Sequence, residues 1–206
     1  MEREYKWKAD AAKLDAMRAD SRLAVLCQGT AVLHMHAVYY ETEDGLLREH
    51  HAALRFRREN DRGVCCMKLG KRIVGGCTER EEYETEAADL AEGLRRLPAA
   101  GAPPALCGLL LQTELLELAH TDFHRTAMTL RYAVHGNSCT AELALDAGVL
   151  GNAGAEIPFT EAELEFKDGD STLFGTFAEQ LAEMFALETQ PLSKLARAIA
   201  ASDKEK

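Results

Sequence analysis

The chain has 206 residues and a mass of 22.6 kDa, which fits one domain and is long enough to bury a real core. Its 47% hydrophobic and 28% charged residues are ordinary globular composition and exclude disorder as the default state. A net charge of -10 excludes a surface that coats nucleic acid, although a local basic pocket stays allowed.

The first predicted element is a strand over EREYKWK. Residues 10–26 then read as one amphipathic helix, with Leu14, Met17 and Leu23 on one side. A strand is expected over residues 31–42. ALRFRREN and GVCCMKLGK follow as two short alternating segments joined by a polar turn, a hairpin pattern. EREEYETE is a further strand, and residues 87–97 form a helix. PAAGAPPA has the composition of a surface loop. In the second half, residues 121–134, 138–148 and 159–169 alternate as strands between Gly/Asn turns. A helix capped by Asp170 or Ser171 follows, then a final helix opened by Pro191, and a frayed tail over 202–206. The count is about eight strands and four helices. Strands joined mostly by short turns predict an α+β fold: a closed antiparallel β-barrel with helices around it.

No apolar run reaches the length of a membrane-spanning helix, so no membrane partner is expected. The six cysteines show no C-x-x-C spacing and no signal peptide precedes them, which reads as reduced, mostly buried thiols in the cytoplasm. Cys65 and Cys66, being adjacent in a strand, point to opposite faces.

Residues two apart in a strand share a face, roughly 6.7 Å apart. By that rule Glu2, Glu4 and Lys6 lie together, as do Arg55, Arg57 and Glu59, and Arg80, Glu82 and Glu84. Glu142 and Asp146 share a face, and so do Glu161, Glu163, Glu165 and Lys167. The opposite faces carry Tyr5 and Trp7, Leu54 and Phe56, Leu143 and Leu145, Leu164 and Phe166. A single charged strand face is most simply a solvated one. Three carboxylates in a row, however, repel unless cations sit beside them. Charged faces lining a hydrated interior, with apolar faces packed outward on helices, account for all the strands at once. A barrel of about eight strands can hold one small ligand. Lys6, Arg55, Arg57, Lys68, Arg80 and Arg125 suit phosphate oxygens. Glu2, Glu4, Glu161, Glu163 and Glu165 are hard oxygen donors suited to Mg2+ or Mn2+. The combination describes a polyphosphate bridged to carboxylates by a divalent metal.

These residues resemble the CYTH domain, the triphosphate tunnel metalloenzyme superfamily. The family's E-x-E-x-K signature stands here as EREYK. The resemblance continues through YYETEDGLLREHHAALRFRREN, MKLGKRIVGGCTEREEYE, TDFHR, AELALDAG, EAELEFKDG and LSKLAR. E-x-E-x-K alone is weak; the ordered set is strong. It is most similar to the bacterial inorganic triphosphatase branch, whose members often add a C-terminal CHAD domain that this sequence does not include. At YYETED, Glu41 and Glu43 replace the Asp and Pro of many members, so an altered turn is expected there. The resemblance implies a CYTH tunnel domain over residues 1–201, with residues 202–206 as a tail, and an eight-stranded tunnel around a triphosphate.

The implied activity is metal-dependent hydrolysis of inorganic triphosphate to pyrophosphate and phosphate. Lys6, Arg55, Arg57, Lys68, Arg80, Arg125 and Lys194 form the phosphate grip. Glu2, Glu4 and Lys6 are the catalytic core. Glu2, Glu4, Glu163 and Glu165 hold Mg2+ or Mn2+, with Glu161 and Asp146 as further candidates for ligation or orientation. Lys194 rests on the family pattern alone, since a helical lysine is ordinarily a surface residue. Glu59 and Glu84 pair with arginines as readily as they touch metal. His34 and His36 share a strand face without a third ligand nearby in sequence, and His124 faces away from the lumen. KLGK is not a Walker A loop. The alternatives are an adenylate cyclase, a thiamine or nucleoside triphosphatase, and a non-catalytic polyphosphate-binding module. Homodimers through the outer barrel surface remain open.

Overall fold

The computed structural model describes residues 1–152 and 154–201. Eight long strands close into an antiparallel barrel: β1 (Glu2–Lys8), β2 (Cys27–Thr42), β3 (Ala52–Glu59), β4 (Arg62–Val74), β5 (Cys77–Glu86), β6 (Leu115–Val134), β7 (Asn137–Asn152) and β8 (Ala155–Gly169). Around the barrel they run β5-β4-β3-β2-β6-β7-β8-β1, and β1 closes the ring by pairing back onto β5. A two-residue strand, β9 (Glu188–Thr189), takes up the edge of β1 at Trp7 and Lys8, beyond the point where β5 leaves it.

Helices cover two outer faces. α1 (Ala11–Ala19), α2 (Ser21–Leu26) and α6 (Ser171–Met184) bring Leu14, Met17, Leu23, Phe174 and Leu181 against Trp7, Leu143, Leu145 and Leu164 of the barrel wall. On the other side α3 (Leu46–Glu49), α4 (Leu90–Arg96) and α5 (Pro104–Leu110) bury Leu47, Leu94, Leu106 and Leu110 against Leu54, Cys65 and Met67. The helix α4 approaches β4 so closely that a Cβ at Gly93 would lie 2.1 Å from Cys65 Cβ. The outward apolar faces therefore pack on helices, which frees the inward faces for charge.

The last helix, α7 (Lys194–Ala201), behaves differently. Its Ala198 and Leu195 pack with Met35, Tyr39, Phe123, Leu150 and Phe159. Register places Met35 opposite Phe123 and Phe123 opposite Gly148, on the same side as Arg125 and Asp146. This apolar cluster thus lies on the inner face of β2 and β6 to β8, and α7 docks there. An interior lined by charge throughout was the expectation; one sector is apolar because a helix must bury against it.

Three local expectations are corrected. The helix over residues 10–26 is two helices, broken where Asp20 adopts extended backbone and its carboxylate accepts the N–H groups of Arg22 and Leu23. A side chain that starts a new helix competes with the old one. Part of the PAAGAPPA loop is ordered instead, as a 3-10 turn over Leu97–Ala100 and the first turn of α5, which Pro104 opens. Proline is pre-set for a helix's first position, and Leu106 and Leu110 give this helix a face to bury. The final helix starts at Lys194, not Pro191; Ser193 Oγ accepts the Ala196 N–H and sets the start. Asp170 caps α6 as expected, accepting from Thr172 and Leu173. The frayed tail over 202–206 lies outside the described residues. All six cysteines are free thiols, five buried and Cys27 half-buried. Among the described residues no helix is long and apolar enough to cross a membrane.

Candidate active site: a charged tunnel

Antiparallel register converts the alternation of single strands into a ring. Glu4 faces Glu165, and Lys6 faces Glu163, across β1 and β8. Glu2 faces Arg80 across β1 and β5, and Lys68 faces Glu82 across β4 and β5. Arg55 faces Cys66, and Arg125 faces Asp146. The enclosed cavity measures about 310 Å³, at the small end of ligand sites. Nine cationic and eight carboxylate side chains line it, so an acidic protein keeps a roughly neutral, cation-rich interior.

The cations are held in a lattice of ion pairs. Lys68 Nζ lies 2.8 Å from Glu2 and 2.9 Å from Glu82. Arg80 spans Glu2 at 3.0 Å and Glu4 at 2.8 Å. Lys6 Nζ stands between Glu4 at 3.3 Å and Glu163 at 3.1 Å. Arg125 holds Asp146 through two bonds of 2.8 and 2.7 Å and reaches Glu163 at 2.8 Å. Arg55 and Arg57 share Glu84 at 3.4 and 3.3 Å, and Arg57 also pairs with Glu59. The Nε atoms of Arg55 and Arg57 are buried without a hydrogen-bond partner. A buried donor left unpaired is costly, so these two guanidinium groups are suited to an acceptor inside the cavity.

The CYTH domain profile matches residues 1–199 of this sequence. The chain belongs to the CYTH family. Solved structures share the CYTH fold of this chain at low identity. One is a candidate adenylyl cyclase from Hippeastrum, described as having a dominant triphosphatase activity (TM-score 0.62, 19% identity, 97% of this chain and 96% of that one). Another is the PH1819 protein of Pyrococcus horikoshii (TM-score 0.61, 16% identity, 97% and 99%). A candidate adenylate cyclase from Bacillus halodurans matches at TM-score 0.51 and 17% identity, over 92% of each chain.

Within the CYTH barrel, the expected phosphate grip is gathered on the cavity wall: Lys6, Arg55, Arg57, Lys68, Arg80, Arg125 and Lys194 all line it. Lys194 is the least legible of these, since a helix carries it, yet it is only 7% exposed. Its ammonium lies 2.9 Å from Asp146 and 3.0 Å from Glu163, and also pairs with Glu161. Burial lowers its pKa, but the three carboxylates outweigh burial and raise it, so it stays a cation. Conversely, burial pushes the Glu163 carboxyl up, yet Lys194, Lys6 and Arg125 hold it well below the usual carboxylate range.

The expected metal ligands divide into two sets. Glu2, Glu4, Glu163 and Glu165 line the cavity. Asp146 and Glu161 do not; both are wholly buried and form, with Glu163, a compact acidic group whose oxygens lie within 4.8 Å of one another. Each is tied to cations, Asp146 to Arg125 and Lys194, Glu161 to Lys194 and Arg197. A second acidic group joins Cys66, Glu82 and Glu84. Both groups bring carboxylate oxygens close enough to hold a cation, and of the four cavity-lining glutamates expected as ligands only Glu163 belongs to either.

Three features escaped the sequence reading. Arg197 braces Glu161 from α7, three residues beyond Lys194, a spacing that places both on one helix face. Cys66 lies on the tunnel wall and its thiol donates to Glu82 Oε1 at 3.1 Å; strand parity with Lys68 was the available signal. Leu33, Met35, Tyr39, Phe123 and Leu195 give the cavity an apolar side, which followed only from the docking of α7.

Proposed function

We propose that this CYTH protein hydrolyses inorganic triphosphate to pyrophosphate and phosphate inside its tunnel, with Mg2+ or Mn2+. The observation that carries the reading is the convergence of seven of the nine lining cations, two of them with orphaned guanidinium N–H groups, beside Glu2, Glu4, Glu163 and Glu165. Phosphoryl transfer depends mainly on positioning and charge neutralisation, which such a convergence supplies. Arg55, Arg57, Lys68 and Arg80 bind phosphate oxygens from one wall, Lys6, Arg125 and Lys194 from the other. Water attacks a terminal phosphorus, the bridging P–O bond breaks, and pyrophosphate leaves. Glu2, Glu4, Glu163 and Glu165 would hold the divalent metal, which offsets phosphate charge and acidifies bound water. Lys6, Glu2 and Glu4 form the catalytic core: Lys6 sits between Glu4 and Glu163 and remains charged, because these two carboxylates outweigh its burial. Asp146 and Glu161 orient Arg125, Lys194 and Arg197 from behind.

The apolar side of the cavity favours a second reading, in which the triphosphate carries an organic end, as in ATP or thiamine triphosphate. The deciding experiment measures phosphate release from tripolyphosphate, ATP and thiamine triphosphate with either metal, for wild type and Glu4→Gln. Fast, metal-dependent release from tripolyphosphate that collapses in the variant supports the proposal. Cyclic AMP and pyrophosphate from ATP would replace it with a cyclase, and tripolyphosphate bound without turnover would leave only a binding module.

A further inference from the structure

The outer wall of the barrel between β2 and β6 carries donors that the tunnel does not use. His34 and His36 lie two apart on β2 and share its outward face; their neighbours Leu33 and Met35 line the cavity. Antiparallel pairing sets His124 directly opposite His34, and Asp122 directly opposite His36. The four side chains thus occupy the corners of one patch. Three already touch: His34 Nε2 lies 2.8 Å from Asp122 Oδ1, and the His34 and His124 rings stack with centroids 5.0 Å apart. The three histidines are exposed and Asp122 is half-buried, so each side chain can turn without disturbing a core.

We propose that His34, His36 and His124, with Asp122 as fourth ligand or as the carboxylate that orients His34, bind a divalent transition metal of the zinc class. Opposite residues on paired strands lie about 4.5–5.5 Å apart and residues two along about 6.7 Å, within reach of imidazoles converging on one ion. Three imidazoles with one carboxylate match zinc's preferred donors and four-coordinate geometry. They do not suit Mg2+, which takes oxygen ligands, so this site and the tunnel differ in the ion they select. A carboxylate bonded to a histidine is also the usual partner that fixes the ligating tautomer. A cation also faces the patch: Arg58, opposite His36 on β3, whose side chain is exposed. A metal here clips β2 to β6 at the two positions flanking Phe123, next to Arg125, and so stiffens the wall that carries part of the phosphate grip. The proposal stands independently of the tunnel's reaction.

The test uses the full chain without an affinity tag. Zn2+ binding is followed by calorimetry in excess Mg2+, and Co2+ by its visible spectrum. One equivalent of Zn2+ is expected, with a Co2+ spectrum free of thiolate charge transfer. His34→Gln and His124→Gln, and separately His36→Gln, should each weaken binding about tenfold or more, while Glu4→Gln and Cys66→Ser leave it unchanged. Metal-free melting temperatures confirm that the variants fold. No stoichiometric Zn2+ binding, or binding that survives the histidine variants and disappears with Glu4→Gln or Cys66→Ser, would overturn the proposal.

Discussion

Replacing Lys194 with methionine removes one ammonium from among three buried carboxylates while nearly keeping side-chain volume. Breaking a buried ion pair by deleting one partner costs about 3–5 kcal/mol, because the remaining charge is stranded. Here each carboxylate keeps another cation: Asp146 keeps Arg125, Glu163 keeps Arg125 and Lys6, and Glu161 keeps Arg197. The expected loss therefore lies at the low end, about 3 kcal/mol. For a chain of this size that lowers the melting temperature by about 6–12 °C. Lys194→Met/Glu161→Gln should recover about 1 kcal/mol or more, since it removes one of the three carboxylates left crowded together once the ammonium is gone. Calorimetry on the four proteins of this cycle measures both terms. In the triphosphatase reading, kcat on tripolyphosphate also falls about 100-fold in Lys194→Met, and Glu161→Gln does not restore it. A Lys194→Met protein as stable as wild type, or a double variant with no recovery, would refute the view that this lysine neutralises the acidic group.

Other consequences are open to simpler measurements. Burial pushes the Cys66 and Cys65 thiols up to about 12, so brief alkylation of the native protein at neutral pH should label Cys27 and spare both; mass spectrometry finding early modification of Cys66 would contradict its burial. Burial raises the Glu82 carboxyl, but Lys68 at 2.9 Å outweighs it and holds the group below its ordinary value of 4.5. A carboxylate with a depressed folded pKa contributes stability above its unfolded value and loses it as pH falls through the folded one. Denaturant midpoints taken from about pH 6 to about pH 3 should therefore fall more steeply for wild type than for Glu82→Gln; parallel slopes would count against this pairing. Asp170→Ala deletes the α6 cap, which accepts two backbone N–H groups, and should cost about 1 kcal/mol by denaturation, with Asp170→Asn nearly restoring it.

The turn at YYETED illustrates how much local sequence conveys. Glu41 accepts the Leu47 and Arg48 N–H groups at 2.9 and 3.0 Å, so the altered residue organises the start of α3. The alternation of charge told which side of each strand would carry the chemistry, and it placed Lys6, Arg55, Arg57, Lys68, Arg80 and Arg125 on one wall surface. Parity is a local property: adjacent side chains in a strand must point to opposite faces, whatever the strand pairs with.

What parity cannot supply is partners. Which carboxylate each cation meets depends on register between strands far apart in the chain, such as Glu2 with Arg80 and Arg125 with Asp146. The same holds for His34, which has no third donor near it in sequence and gains His124 and Asp122 only across β6. Lys194 and Arg197 follow from neither parity nor composition, because their burial is created by α7 docking on the inner face. The sequence by itself determined the strands, their charged faces and the kinds of ligand those faces suit. Only the closed barrel decided which charges neutralise one another, because ion pairing needs contact within a few ångströms and chain order does not set that distance.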